Sequence, residues 1–413
     1  MSDFLADVLA SVKPNMQGRD VPVSELLDAA AKRIGTELTD EPGVRGELET
    51  VIGESYLSLG RFDEAGRHLG AALRMDQLAD GPRSHSVVQA LNNLGALELA
   101  RGELAAADSV TQLALAMQRK LSPRPDPLTA TLIAKAGSIA HSQGRLADAQ
   151  RWHQEALDLR LRLAGPHDDV VAYSMNDLGV AYGEQNKWAV AESLQRGALA
   201  IVRANHPEPS VVVAEVENAL ATACDIQSKN AQADSLYRDV LERRAVLFGR
   251  THPDYLFTEM NYAIFVCSLG RWSQAADMSR EILAQRGKGL PESHPAVSTS
   301  LQTLGRCLDH LGRTDEGGRA LEESMMLRRR YFGPGHWLAA SSESLLGDHY
   351  RLTKEYARGE RLMLEADATF AKALGPTHPT TLVNLRRLLA LYEAWGRPEQ
   401  AARVRARLPA TGA

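Results

Sequence analysis

The sequence has few cysteines and few aromatic residues, and it has no long apolar run. Three of its 413 residues are cysteines, and aromatic residues make up 5% of the chain. Cys224, Cys267 and Cys307 fall within predicted helices and form no Cys-x-x-Cys pair, which is typical of reduced, buried thiols. No apolar run approaches the roughly 18 residues of a membrane span, and the N-terminus lacks the features of a signal peptide. We therefore expect a cytoplasmic protein.

An excess of positive charge is also missing. The 47 lysines and arginines are outnumbered by 52 acidic residues, which gives a net charge of −5 at pH 7. Because nucleic-acid binders and membrane-surface binders need a basic face, we expect neither nucleic acid nor membrane as a partner. The sequence also lacks Gly-x-Ser-x-Gly, His-Glu-x-x-His and a phosphate-binding glycine loop. It therefore predicts no enzymatic activity and no cofactor.

The sequence does contain a strict internal period of 42 residues. The segments run from IGESYLSLGRFDEA (Ile52–Ala65) to LLALYEAWGRPEQA (Leu388–Ala401) without an insertion. One turn position separates two helices in every segment. It falls at Gly60, Gly102, Gly144, Asn186, Ser228, Gly270, Gly312, Lys354 and Gly396. Such a period indicates a stacked array of nine helix–turn–helix units.

Small residues recur at fixed places around each turn. Seven residues before the turn, in the middle of the first helix, the residues are Gly53, Gly95, Gly137, Gly179, Ala221, Ala263, Gly305 and Gly347. Leu389 breaks this column in the ninth unit. We expect the small residues to let a neighbouring helix approach closely, and the turn residues to adopt positive φ. Ser228 and Lys354 suit a positive φ poorly, so their turns are predicted to be either strained or differently built.

Two helices cannot bury their apolar faces alone, so the units must stack. The pattern Leu-Gly-x2-Tyr-x3-Gly…Ala in Ile52–Ala65 and Leu178–Ala191 resembles the tetratricopeptide repeat. The 42-residue length and a linker ending in His-Pro, as in Gly249–Asp254 and Gly375–Thr380, resemble the variety found in kinesin light chains. The resemblance implies an all-α, right-handed superhelical solenoid of about nine repeats, and it implies protein binding.

The domain organisation follows from where the repeat begins and ends. We assign residues 1–44 to an N-terminal helical cap, 45–408 to the solenoid and 409–413 to a tail. Within the cap, FLADVLASV predicts a short helix and the stretch from Pro22 to Ile34 a longer one, with Ser24 as its possible cap. The same region resembles the segment that joins bacterial serine/threonine kinases to a C-terminal repeat array. No kinase motif is present, so a regulatory tail and a free-standing relative both stay open.

Four histidines recur at the repeat spacing, at His252, His294, His336 and His378. Equivalent positions in a solenoid lie one repeat apart, roughly 20 Å for two packed helices. They cannot converge on one metal ion. We expect each histidine to bond a helix start beside a proline, and we predict no metal site.

The resemblance places the first helix of each repeat, helix A, along the concave groove. The residue three before the mid-helix small residue is predicted to point into that groove. In this column stand Thr50, Asn92, Ala134, Asn176, Asn218, Met260, Gln302, Ser344 and Arg386. The amides offer a donor and an acceptor each, so they suit the backbone of an extended peptide. The alternative is that each asparagine bonds its own linker.

Further residues are predicted to share this groove face. They are Tyr173, Glu184, Glu215, Asp225, Arg306, Asp309 and Arg351. The acidic residues favour a basic peptide in the middle of the groove, whereas Arg306, Arg351 and Arg386 favour an acidic one towards the C-terminus. Phe257 and Met260, with Ile264, form either a pocket for an apolar side chain or packing under a neighbouring helix. The charge run Arg328–Arg330 is interpreted as solvated charge at a helix end.

The sequence therefore predicts a non-catalytic scaffold that binds a protein or peptide in the concave groove. One alternative is a regulatory or sensor module of a bacterial serine/threonine-kinase-type signalling protein. Another is an accessory or inhibitor subunit that wraps a folded partner. The oligomeric state stays open.

Overall fold

The computed structural model describes residues 23–37, 41–288, 292 and 295–409. A single helix, α1 (Val23–Glu37), precedes nine helix pairs. The pairs are α2 (Pro42–Ser58) with α3 (Phe62–Asp80), α4 (His85–Arg101) with α5 (Leu104–Leu121), α6 (Pro127–Ser142) with α7 (Leu146–Ala164), α8 (Asp169–Glu184) with α9 (Trp188–Asn205), α10 (Val211–Ile226) with α11 (Asn230–Phe248), α12 (Pro253–Ser268) with α13 (Trp272–Leu283), α14 (Pro295–His310) with α15 (Thr314–Phe332), α16 (Trp337–Leu352) with α17 (Tyr356–Ala373), and α18 (Pro379–Trp395) with α19 (Pro398–Arg405). The chain is an all-α solenoid of helix–turn–helix repeats. Below, the even-numbered helices are the A helices and the odd-numbered helices from α3 onwards are the B helices.

The helices form two compact units. Unit 1 comprises the described residues up to Gln143 together with Arg151–Leu163, and unit 2 comprises Gly144–Gln150 together with the described residues from Ala164 onwards. In the described part of unit 1, α2 packs on α3 and α4 on α5, as the pairing predicts. In unit 2 the same pairing runs from α8 and α9 to α18 and α19.

The turn between the two helices of every repeat has a left-handed residue, as the sequence predicts. The φ angle is positive at all nine turn positions and ranges from 58° at Ser228 to 78° at Gly102. Asn186, Ser228 and Lys354 adopt the same conformation with φ of 62°, 58° and 65°. A side chain with a Cβ costs about 1 kcal/mol or more in this conformation, so the predicted strain lies at these turns.

Replacing Ser228 and Lys354 by glycine is therefore expected to stabilise the protein. Each change should raise the free energy of unfolding by about 1 kcal/mol, because glycine adopts positive φ without a steric penalty. Chemical denaturation of the full chain, followed through the unfolding of unit 2, measures the increase in the free energy of unfolding. Gly312→Ser is the matched control at an equivalent turn, with φ of 75°, and it should lose a similar amount. A loss of stability in the two glycine variants would show that these turns are not strained.

The small residues of the two helices face each other, which explains their period. A Cβ atom at Gly347 on α16 would lie 3.1 Å from the carbonyl oxygen of Gly359 on α17, and one at Gly359 would lie 2.8 Å from that of Gly347. The pair Gly305 and Gly317 has the same arrangement at 3.0 Å. The prediction of close helix approach is therefore confirmed at these positions.

The repeated histidines begin A helices, as predicted. The Nδ1 atoms of His252, His336 and His378 accept hydrogen bonds from backbone N–H groups two residues on, each at 3.2 Å. A side chain that accepts such a bond satisfies one of the free donors at a helix start. His294 lies outside the described residues.

The three cysteines lie within helices, as the sequence predicts. Cys224, Cys267 and Cys307 are free and buried, which confirms the prediction of buried thiols. The Sγ atoms of Cys267 on α12 and Cys307 on α14 lie 3.5 Å apart. In the part of the chain that the structure describes, no helix is both long enough and apolar enough to cross a membrane.

At the N-terminus, α1 lies where the sequence predicts the longer helix of the cap. Ala30 and Ile34 are buried against the apolar core of the first repeat. Asp28 accepts a hydrogen bond from the Tyr56 hydroxyl at 2.6 Å and pairs with Arg61 at 3.0 Å. These contacts fit a helix that covers the first repeat. The predicted helix FLADVLASV lies outside the described residues.

The charge run at the end of α15 is not uniformly solvated, and the prediction for Arg328 is wrong. Arg328 is 5% exposed, and it donates to Thr299 Oγ1 at 2.9 Å and to the Leu338 carbonyl at 3.2 Å. Burial lowers the pKa of Arg328 to about 10. Only Arg330, whose side chain is 71% exposed, matches the prediction fully. The reason is that two A helices, α14 and α16, supply the partners of Arg328.

Candidate functional site

The column of amides predicted to line the groove lies mainly between neighbouring A helices. Asn92, Asn218 and Gln302 are buried. The Asn261 amide donates to Asn218 Oδ1 at 3.4 Å, and the Gln302 amide donates to Ser341 Oγ at 3.4 Å. Each bond joins one repeat to the next, so these amides contact the neighbouring repeat instead of their own linker.

Asn176 differs from the buried amides. It is only half-buried, and its Oδ1 has no hydrogen-bond partner in the described chain. Buried polar atoms are normally paired. The Oδ1 atom of Asn176 is itself buried, so Asn176 is the member of the column in unit 2 with an unpaired, buried acceptor.

Three acidic residues on α8 and α10 are desolvated and have no ion pair in the described residues. Burial raises the pKa of Glu184, the pKa of Glu215, and the pKa of Asp225 to about 6. Glu184 and Asp225 are half-buried, and Glu215 is open to solvent. Tyr173 on α8 is half-buried as well, and burial also raises its pKa.

Arginines from three successive A helices gather in the C-terminal part of unit 2. Arg306 on α14, Arg351 on α16 and Arg387 on α18 are half-buried; we call them the basic cluster. Arg351 pairs with Asp348 at 2.7 Å. Burial lowers the pKa of Arg387 to about 10; the attraction of Asp348 opposes this shift and the repulsion of Arg306 adds to it. Within the described residues, neither Arg306 nor Arg387 has an ion pair.

The structure places Arg387 in this cluster, whereas the sequence predicted Arg386. Arg387 donates to Ser344 Oγ on the preceding A helix at 2.9 Å, while Arg386 is exposed. The amide column is buried where a following A helix covers it, and no A helix follows α18 in the described chain. The signal for Arg387 was its place 43 residues after Ser344, which matches the step from Asn218 to Asn261.

Three other predicted residues serve packing wholly or in part. Met260 is buried in an apolar cluster that includes Tyr255 and Leu301. Phe257 is 36% exposed. Asp309 hydrogen-bonds His349 Nδ1 at 2.9 Å, and both side chains are nearly buried. Asp309 therefore adds little charge to the groove face, while Phe257 remains an apolar surface on α12.

One contact in unit 2 joins residues that are 194 positions apart, and the sequence did not predict it. His378 Nε2 lies 2.8 Å from the carbonyl oxygen of Glu184. Beside it is a cavity of about 680 Å³, whose lining includes Arg145, Asn186 and Thr377. The period of the sequence reports only contacts between neighbouring repeats, so it contains no signal for this one.

Sequence models of the tetratricopeptide repeat match residues 46–120 and 128–204, and a second such model matches residues 218–254. No curated protein sequence matches the chain.

Solved structures with the same kind of fold cover most of the chain. The structure of a Rap protein complexed with Competence and Sporulation Factor has a TM-score of 0.58 at 12% identity, over 86% of this chain and 99% of that one. The apo form of the quorum sensor NprR from B. thuringiensis has a TM-score of 0.55 at 13% identity, over 86% of this chain and 98% of that one. A putative kinesin light chain of Podosopora anserina with TPR-like repeats is 20% identical over 50% of this chain and 97% of that one, with a TM-score of 0.39.

Proposed function

The chain is a tetratricopeptide-repeat protein, and we propose that it binds an acidic segment of a protein or peptide on the basic cluster of its A helices. It acts as a scaffold and not as a catalyst. The observation that carries the proposal is the position of Arg306 and Arg387, which are half-buried on the A helices of the seventh and ninth repeats without an ion pair in the described residues.

The energetics of these arginines favour a ligand. A partly buried cation without a counter-charge reduces the stability of the free protein, because desolvation is not offset by an ion pair. The lowered pKa of Arg387 is a sign of that cost. Carboxylates of a ligand restore the missing partner, and arginine can hold them in a two-bond arrangement.

The acidic residues of α8 and α10 support a second contact region for basic residues of the same ligand. Glu184, Glu215 and Asp225 are desolvated without an ion pair in the described residues. A ligand with a basic part and an acidic part matches both regions. The Rap structure that holds Competence and Sporulation Factor supports the idea that an array of this fold accommodates a bound factor.

Selection of peptides from a random display library tests the proposal. Peptides retained by the wild type are expected to carry clustered Asp and Glu residues. The double variant Arg306→Gln/Arg387→Gln should retain none of them, because it removes the unpaired cations and keeps similar side-chain lengths.

The matched control is Arg386→Gln, which changes the neighbouring exposed arginine and should select the same peptides as the wild type. Circular dichroism establishes that all variants are folded. Peptides without acidic residues, or equal retention by the double variant, would overturn the proposal. Retention that depends on the B helices would instead favour a folded partner wrapped by the array.

A further inference from the structure

Four A helices carry a buried glutamate four residues before the mid-helix small residue. They are Glu49, Glu217, Glu259 and Glu343. Glu49 lies 2.6 Å from His68 Nδ1 and 3.6 Å from Arg45 Nε. A buried carboxylate is costly unless a cation or hydrogen bonds compensate its charge, so each of these four glutamates is expected to have a partner.

For Glu217 and Glu343 the partner comes from the preceding B helix, fourteen residues earlier. Arg203 on α9 pairs with Glu217, and Arg329 on α15 pairs with Glu343 at 2.8 Å. The same position before Glu259 is occupied by Ala245 on α11. Glu259 thus has the burial of its counterparts without the arginine that neutralises them.

The surroundings of Glu259 do not replace this arginine. Glu259 is 8% exposed, and the described residues provide no ion pair or hydrogen bond to its carboxyl group. Burial raises the pKa of Glu259 to about 7; Glu281 adds to the shift and Arg250 opposes it. In the pairs of Glu217 and Glu343, a guanidinium group contacts the carboxylate. The group that Glu259 lacks is therefore a cation.

A cavity of about 510 Å³ lies on the side from which the arginine would come. Its lining consists of Leu241, Glu242, Ala245, Val246, Arg250 and Tyr255. The cavity lies beside Ala245, the position from which Arg203 and Arg329 reach their glutamates in the other repeats. Its wall has one negative charge, the exposed Glu242, and one positive charge, the exposed Arg250.

We propose that this cavity receives an arginine side chain of a bound protein segment, whose guanidinium group pairs with Glu259. The inference rests on the proposed function, since the arginine belongs to the protein ligand. The repeats of this chain are the template: α9 and α15 provide in cis what the ligand provides here in trans. Guanidinium is favoured over ammonium because the two internal counterparts are arginines and because its planar group matches a carboxylate.

A small probe tests the site without the unknown ligand. N-acetyl-arginine methylamide is titrated into the full chain, with the uncharged citrulline analogue as its control, and binding is followed by saturation-transfer difference NMR. We expect saturable binding of the arginine probe and at least roughly tenfold weaker binding of citrulline, the loss expected for one charge-assisted contact. Equal binding of the two probes, or no binding of the arginine probe, would refute the site.

Two variants test the site without a substitution at Glu259 itself. Their results therefore do not depend on how a change at Glu259 would affect the stability of the protein. Ala245→Arg restores the internal partner, so it should abolish probe binding and raise Tm by roughly 2 °C or more. Ala371→Arg is the matched control, because Ala371 has the equivalent position before the apolar Leu385; it should leave both unchanged. Probe binding that survives Ala245→Arg would contradict the inference. Loss of acidic-peptide binding in the display experiment leaves these results untouched, so the two proposals fail separately.

Discussion

Gly359→Ala is expected to lower the free energy of unfolding by about 2 kcal/mol, although alanine is the better helix former. The new Cβ atom would lie 2.8 Å from the backbone oxygen of Gly347 and 2.7 Å from Leu391 Cδ1. Overpacking of this kind costs about 1–3 kcal/mol because helices α16 and α17 must separate. Urea denaturation with a fluorescence readout measures the change.

The control is the same substitution at a glycine with open surroundings. A Cβ atom at Gly70 on α3 would meet only the flexible end of Arg74, at 3.7 Å. Gly70→Ala should therefore raise the free energy of unfolding by about 1 kcal/mol, the difference in helix propensity. If both substitutions change stability in the same direction, close helix approach is not the reason for the small-residue columns.

Removing both cations of Glu217 is expected to have the largest effect. Glu217 is fully buried, and Arg203 and Arg243 neutralise it. In the variant Arg203→Met/Arg243→Met the free energy of unfolding should fall by about 3 kcal/mol or more at pH 8, because an uncompensated charge stays buried. Arg330→Met, which removes an exposed arginine, should change it by less than about 0.5 kcal/mol.

The stability of the same variant is predicted to depend on pH. The reason is that Glu217 would then be an unpaired, buried carboxyl group like that of Glu259. Burial raises the pKa of the unpaired carboxyl group of Glu259 to about 7, above the ordinary value of 4.5, and burial without a cation should raise the pKa of Glu217 in the variant in the same direction. The folded state then holds a proton that the unfolded state releases, so stability falls as pH rises between about 4.5 and 7. The penalty of the double variant should therefore be smaller at pH 5 than at pH 8. A penalty that is equal at both pH values would contradict this account.

The fold could be predicted because it depends on contacts between neighbouring repeats. A residue that recurs every 42 positions meets the same neighbours each time, so Gly347 could be assigned to a helix crossing from the sequence alone. The turn residues followed for the same reason, and even Lys354 adopts the conformation of the glycines that it replaces.

The candidate site could be predicted only in part, because it depends on departures from the period. Arg306 and Arg351 were identified as groove residues, but the sequence assigned Arg386 where the structure has Arg387. Periodicity cannot indicate which side of a terminal helix is covered. Periodicity also does not single out Ala245. This residue matters because two other repeats have an arginine, Arg203 or Arg329, at the equivalent position.

The contact of His378 with Glu184 marks a further limit. It joins residues 194 positions apart, and no repeating pattern in a single sequence reports a pairing across several repeats. Residues that share a face can be predicted from helix geometry, whereas residues that meet over such separations require the structure.

The central claim is that Arg306 and Arg387 hold the acidic part of a ligand. The most direct measurement is the Kd of one selected acidic peptide for the wild type, for Arg306→Gln/Arg387→Gln and for Arg386→Gln, by fluorescence anisotropy. The account predicts a loss of affinity of at least roughly tenfold in the double variant, since each charge-assisted bond contributes about 1.5–3 kcal/mol, and less than about twofold in Arg386→Gln. Equal affinity of all three proteins, or an equal loss in both variants, would contradict it.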